Sequence, residues 1–281
     1  MVTFFLFRLK IERSPNPQIF DGQETPSELI QKALKEVHER ESHEDNHTWR
    51  IGNYRSLDDN AVFFALGKFT KKNVGTFDEN NKRFGQQSLE DALYTYVLID
   101  FKQQLCAIAH NSKIAPDVNS IARNLARLLT ATRVAKTINI KFVIPAIEDP
   151  KKFIEILKNA YSIESFSISF SKPNPWDADQ DFHGPMQNLL QETDATEGKT
   201  TIKASRGQSL HSSPLERLTH SIASTGNQVS ARVKPDGRSK QKTIKLEGGQ
   251  VSFSTDEIDS DDDRKSLWQK MKDLYEAVRG M

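Results

Sequence analysis

Residues 162–171 read SIESFSISFS, with Ile163, Phe166, Ile168 and Phe170 set against serines and a glutamate. Side chains that alternate apolar and polar along the chain point to opposite faces of a strand, so this segment is a half-buried β-strand. The same signals recur at other places. Val2 to Ile11 is a Phe-rich strand, ended by Ser14-Pro15-Asn16-Pro17. Trp49 to Arg55 and Ala61 to Phe69 flank Leu57-Asp58-Asp59-Asn60 and make a hairpin. Tyr94 to Asp100 and Leu105 to His110 make a second pair, after a short helix or turn opened by Ser88-Leu89-Glu90-Asp91. An apolar strand at 138–144 and further strands at 200–205, near 228–234 and near 242–247 follow, the last two joined by the turn Pro235-Asp236-Gly237.

Helices are interspersed with these strands. Thr25-Pro26-Ser27-Glu28 combines a capping threonine, a proline at the first helical position and a glutamate three residues after the cap. Leu29, Ile30, Ala33, Leu34 and Val37 then form an apolar stripe, and His38 to His47 is a polar, solvated end. Residues 116–131 place Val118, Ile121, Leu125, Leu128 and Leu129 at helical spacing, with Arg123, Arg127 and Arg133 on the other side. Further helices are expected at 151–160, from about 177 to Thr193, at 214–225 before Gly226, and at 264–279, where Leu267, Trp268, Met271, Leu274, Tyr275 and Val278 recur. That last helix is too short to stand alone and must dock on its own domain or on a second subunit. The expected fold is α+β, with mainly antiparallel sheets and packed helices in two mixed domains, 1–148 and 149–281. The second domain carries a basic hairpin, an acidic linker and the terminal helix.

With 281 residues, of which 36% are hydrophobic, the chain can bury a sizeable core. One cysteine excludes a disulfide framework and Cys-rich metal sites and fits a reducing, cytoplasmic location. Cys106, inside an apolar strand, reads as a core residue. No stretch approaches the roughly 18 apolar residues of a membrane helix.

The formal net charge is only +1, but the charges are segregated. Ten basic residues lie between Lys199 and Lys245 against Glu216 and Asp236, and six carboxylates fall between Asp256 and Asp263. Arg232 and Lys234, two apart on one strand, share a face; Lys240 and Lys242 are expected to extend that face on the partner strand. Two readings stand side by side. In one, Arg206, Arg232, Lys234, Arg238, Lys240, Lys242 and Lys245 form a ribbon that binds the phosphates of DNA. In the other, the ribbon is a solvated sheet face balanced by the acidic run.

Signals for catalysis are weaker. Glu197-Gly198-Lys199 has the E-x-K form of a metal-dependent nuclease, but that site needs an aspartate on an adjoining strand. Asp177, Asp179 and Asp181 precede it in a loop or helix, and Glu197-Gly198 reads as a turn. His43 and His47, four apart, lack the cysteines or HExxH frame of a zinc site. No P-loop, GxGxxG or nucleophile elbow is present. Phe63, Phe64, Phe69, Phe77 and Phe84 are expected in the sheet core rather than stacked on bases. No catalytic residue, cofactor or metal is expected.

Several segments resemble the RexA-like phage exclusion family: the Phe-rich strands around Val62 to Phe69; the Ser88 to Asp91 step into a strand ending near Asp100; the strand closing on Lys172-Pro173; and Leu210-His211-Ser212-Ser213-Pro214-Leu215-Glu216-Arg217-Leu218-Thr219 leading into a helix. The resemblance implies a two-domain homodimer that binds DNA with little sequence preference and acts in phage exclusion, with a membrane-bound partner as in exclusion systems. It brings no catalytic residues. The alternative from a different class is a metal-dependent nuclease or toxin of a defence system.

Overall fold

The computed structural model describes residues 1–281 except 14–23, 40–48, 80, 172–185, 187, 188, 191, 194, 196, 257 and 281. The polar segment with His43 and His47, the Asp177–Asp181 group and most of the helix expected before Thr193 lie outside the described residues.

The fold is α+β, with mostly antiparallel sheets. Six strands form the larger sheet in the order β12-β1-β6-β5-β4-β3: β1 (Val2–Arg8), β3 (Trp49–Asp58), β4 (Ala61–Asp78), β5 (Arg83–Asp100), β6 (Leu105–Ala109) and β12 (Ser252–Thr255). Both expected hairpins are present, β3 on β4 and β5 on β6. A two-stranded sheet pairs β2 (Lys10–Arg13) with β7 (Ile140–Val143). The first expected strand is thus two strands in different sheets, because the chain breaks at Leu9, whose N–H turns to the Gln104 carbonyl at 2.8 Å. The third sheet has the order β11-β10-β8-β9, from β8 (Ser162–Ser171), β9 (Glu197–Lys203), β10 (Gln228–Lys234) and β11 (Lys242–Lys245).

Helices cover these sheets: α1 (Pro26–Glu39), α2 (Val118–Thr130), α3 (Arg133–Thr137), α4 (Lys151–Asn159), α5 (Ser212–Ser224) and α6 (Asp261–Arg279). The Thr25–Glu28 signal caps α1 as read, and Asp149 serves the start of α4 from just before its N-cap residue Pro150. Glu28 Oε2 accepts from the Thr25 N–H at 2.7 Å while Thr25 Oγ1 accepts from the Glu28 N–H at 3.3 Å, and Asp149 Oδ1 accepts from the Lys151 N–H at 3.0 Å. One core packs α1 and α2 on the larger sheet through Leu34, Phe64, Ile108 and Leu125. A second joins Phe4, Leu6 and Leu98 to Phe166, Ile168, Val229, Met271 and Tyr275.

Three further expectations are corrected. Ser88–Asp91 is neither helix nor turn but the middle of β5, paired with Thr70–Asn73 of β4; cross-strand pairing outweighs a local capping pattern. β3 pairs β4 only as far as Lys68, and β6 reaches only Val97 of β5, so residues 69–92 run on as a two-stranded ribbon. At its tip Phe77 and Phe84 lie 4.9 Å apart and are 50% and 89% exposed, so these two are not core, whereas Phe63 and Phe64 are buried. The acidic run is not a linker: Asp261–Asp263 are the first turn of α6, where carboxylates complement the helix dipole, and Ser260 and Asp263 close a capping box. Asp256 pairs with the terminal amine of Met1 at 3.2 Å and Asp261 with Arg264 at 2.6 Å.

The terminal helix docks on its own chain. Leu267, Met271, Tyr275 and Val278 are buried, the Trp268 Nε1–H donates to Asp100 Oδ2 at 2.6 Å, and the fully buried Arg8 guanidinium donates to the Tyr275 hydroxyl. Burial holds the Asp100 carboxyl above its usual range. Cys106 is buried, and loss of solvation pushes its thiol pKa up, away from reactive thiolate character.

Candidate nucleic-acid interface

The four-stranded sheet has one apolar and one polar face. Phe166, Ile168 and Phe170 of β8 and Val229, Ala231 and Val233 of β10 are buried beneath it. Directly opposed residues of antiparallel strands share a face, so the register assigns the other side. Ser165, Ser167 and Ser169 run down its centre opposite Lys203, Thr201 and Lys199 of β9. On the other flank stand Arg232, Ser230 and Gln228 of β10, followed by Thr243 and Lys245 of β11. The floor is small hydroxyls, with Ser167 Oγ and Thr201 Oγ1 2.9 Å apart, and the cations stand around it.

The alternation that identified β8 slips phase between Ile163 and Phe166, and the structure shows why. Arg232 pairs with Ser165 but Val233 pairs with Ile163, which leaves Glu164 as the extra residue of a β-bulge. A bulge re-aims side chains at the end of a strand. Here both Glu164 and Ser165 line a cleft of about 1090 Å³ that opens at this end of the face. Its cations are Lys203, Arg206, Arg232, Lys234 and Lys240, against Glu164 as the one carboxylate among the lining residues. Glu164 accepts from the Gln241 side-chain amide and lies 3.8 Å from Arg232 Nε. A solvent-exposed pair at that distance is weak and exchangeable. Lys234 sits with its ammonium 5.7 Å from the ring centre of Tyr161, which is 68% exposed.

Local chemistry shapes both walls. The Ala204 N–H donates to the Glu164 carbonyl at 2.8 Å, and Ser209 Oγ accepts from the Ile163 N–H at 2.9 Å, which ties the 204–209 loop with Arg206 against β8. Across the cleft, Asp236 Oδ1 accepts from the Arg238 and Ser239 N–H groups at 2.8 and 2.7 Å. These bonds, led by the one from the Ser239 hydroxyl, hold the Asp236 carboxyl below the usual carboxylate range. The aspartate is therefore an ionised turn former, held chiefly by its own loop, whose charge also acts on Lys234.

Of the expected ribbon, Arg206, Arg232, Lys234 and Lys240 are brought together in the cleft. Lys245 lies on the same sheet face, opposite Ser230. Arg238 is in the turn and is not a lining residue. Lys242 is out of phase: it pairs with Val233 and so stands on the opposite face from Arg232. Sequence reasoning missed Lys199 as a site residue because Glu197-Gly198 read as a turn, and Lys203, in the expected strand at 200–205, because only the register with β8 puts it opposite Ser165; both belong to β9. Gly198 is there for packing, since a Cβ would stand 2.6 Å from the Phe170 ring.

Glu197 and Lys199 therefore do lie on a strand, but their register partners on β8 are Ser171 and Ser169, which supply no carboxylate. Among the described residues no group of three or more His, Cys, Asp or Glu side chains is placed to hold a metal ion. None of the helices among them is long and apolar enough to cross a membrane. The chain matches no protein-family model and none of the curated proteins.

Proposed function

We propose that the polar face of the four-stranded sheet and the cleft at its bulged end bind the sugar-phosphate backbone of DNA without sequence preference, and that the protein acts in phage exclusion or a related anti-phage response. The observation that carries the binding reading is the arrangement of the face: a floor of serine and threonine hydroxyls bordered by Lys199, Lys203, Arg206, Arg232, Lys234, Lys240 and Lys245. Small hydroxyls let a backbone approach closely and donate to its oxygens, while the cations neutralise phosphates and release counterions. The defence setting, the homodimer and a membrane-bound partner rest on the resemblance of Val62 to Phe69, Ser88 to Asp91 and Leu210 to Thr219 to the exclusion family.

Incubation of supercoiled plasmid with the protein in Mg²⁺ or Mn²⁺, beside an EDTA control, tests this reading. Retarded, uncut DNA in both is the expected result. Cleavage that EDTA abolishes would replace it with the nuclease reading, with Glu197 and Lys199 as the first residues to change.

A further inference from the structure

A second cavity, of about 640 Å³, lies between β2, α2, β7 and the turn at Gly226. Lys10 and Glu12 of β2 reach it from one side, Arg123 and Arg127 of α2 from another, and Lys141 from β7. Phe142, Ile144, Pro145 and Ala126 give it apolar walls. Lys10 is only 3% exposed, and its ammonium donates to Asn227 Oδ1 at 3.0 Å. The Gly226 turn holds Asn227 in place: its φ is +67°, and a Cβ there would stand 2.9 Å from the Pro145 ring. Glu12, opposite Lys141 in the β2–β7 register, also acts on Lys10, and the Arg123 guanidinium donates to Ser120 Oγ at 2.6 Å; the lining still sets Lys10, Arg123, Arg127 and Lys141 against the single carboxylate of Glu12.

A buried lysine, two arginines and apolar walls around a cavity that opens to solvent form a site for a small amphipathic anion. We propose that this cavity binds a phosphomonoester with an aromatic or apolar body, its phosphate facing Lys10, Arg123 and Arg127 and its body lying against Phe142, Ile144 and Pro145. The charge favours a dianionic phosphate over a single carboxylate, because two arginines remain even when Lys10 is neutral. The volume is that of a typical small-molecule pocket. The backbone of a duplex cannot bring a phosphate to a lysine buried this deeply, so this site is distinct from the polar sheet face. Loss of solvation and the neighbouring Arg8 lower the Lys10 pKa to about 7. A fraction of its amine is therefore uncharged and nucleophilic at neutral pH.

Pyridoxal 5′-phosphate serves as the probe, because it carries a phosphomonoester and an aldehyde on one aromatic ring. The neutral amine of Lys10 adds to the aldehyde carbon, water leaves, and a C=N bond forms; borohydride then delivers hydride to that carbon and fixes the product as a secondary amine that peptide mapping can locate. The full-length protein should be labelled at Lys10 ahead of its surface lysines. Phenyl phosphate should protect Lys10, and pyridoxal without its phosphate should label it far less. The double variant Arg123→Glu/Arg127→Glu changes two exposed side chains and should slow Lys10 labelling by about tenfold or more, with its fold checked by circular dichroism. Labelling spread over surface lysines with Lys10 untouched, or labelling of Lys10 indifferent to phenyl phosphate, would overturn the proposal. Protection of Lys10 by a short DNA duplex would overturn it too, by placing nucleic acid in the cavity.

Discussion

Burial of Lys10 makes a quantitative claim about stability. Its amine has a pKa near 7 in the folded chain and about 10.4 when solvated in the unfolded chain. Below pH 7 both states are protonated and the fold carries the full cost of a buried charge. Between the two values the unfolded chain binds a proton that the folded chain does not, so stability rises with pH, by about 1.4 kcal/mol per unit. Lys10→Met keeps the length of the side chain and removes the titration. The free-energy difference between the two proteins should therefore change by about 3 kcal/mol between pH 6.5 and 9.5, the wild type gaining on the variant as pH rises. Chemical denaturation of both proteins at half-unit steps measures this, and subtraction cancels every other titrating group. Parallel curves across that range would mean that Lys10 titrates near its ordinary value and is solvated, contrary to its burial and its bond to Asn227.

Other contacts make claims of their own. Gly198→Ala places a methyl group against the Phe170 ring and should destabilise by about 1–3 kcal/mol in urea melts; a neutral result would show that the ring has room to turn. Trp268→Phe removes the donor to the buried Asp100 carboxylate and should cost about 1–3 kcal/mol, with the loss shrinking as pH falls and Asp100 takes up a proton. Ser260→Ala opens the capping box of α6 and should lower stability by about 1 kcal/mol, read as a drop in the thermal midpoint.

Much of this fold is legible in local pattern. The Thr25–Glu28 cap, the stripe of α2 and the hairpins at 49–69 and 94–110 need only neighbouring residues to specify them, and the structure has them all. What escapes the sequence depends on distant partners. Ser88–Asp91 is a strand because Thr70–Asn73 lies beside it, and Lys10 is buried because Asn227, more than two hundred residues away, closes over it. The candidate site shows both cases. Arg232 and Lys234 follow from strand period, but Lys203 joins them through a register between β8 and β9 that no local spacing encodes. The phase slip at Glu164 was the one visible sign of the bulge that opens the cleft. Lys242 failed because the register with β10 puts it opposite the inward-facing Val233.

The central claim is that cations on one sheet face hold DNA by its phosphates, and its salt dependence tests this most directly. Fluorescence anisotropy of a labelled duplex, titrated at several NaCl concentrations, should give the same affinity for unrelated sequences of equal length and a linear fall of log K with log salt. The triple variant Lys203→Glu/Arg206→Glu/Arg232→Glu removes three of the proposed phosphate contacts, and its slope should be shallower than that of the wild type by about 2.7. A wild-type protein that binds no duplex at low salt, or a triple variant with an unchanged slope and affinity, would contradict the account.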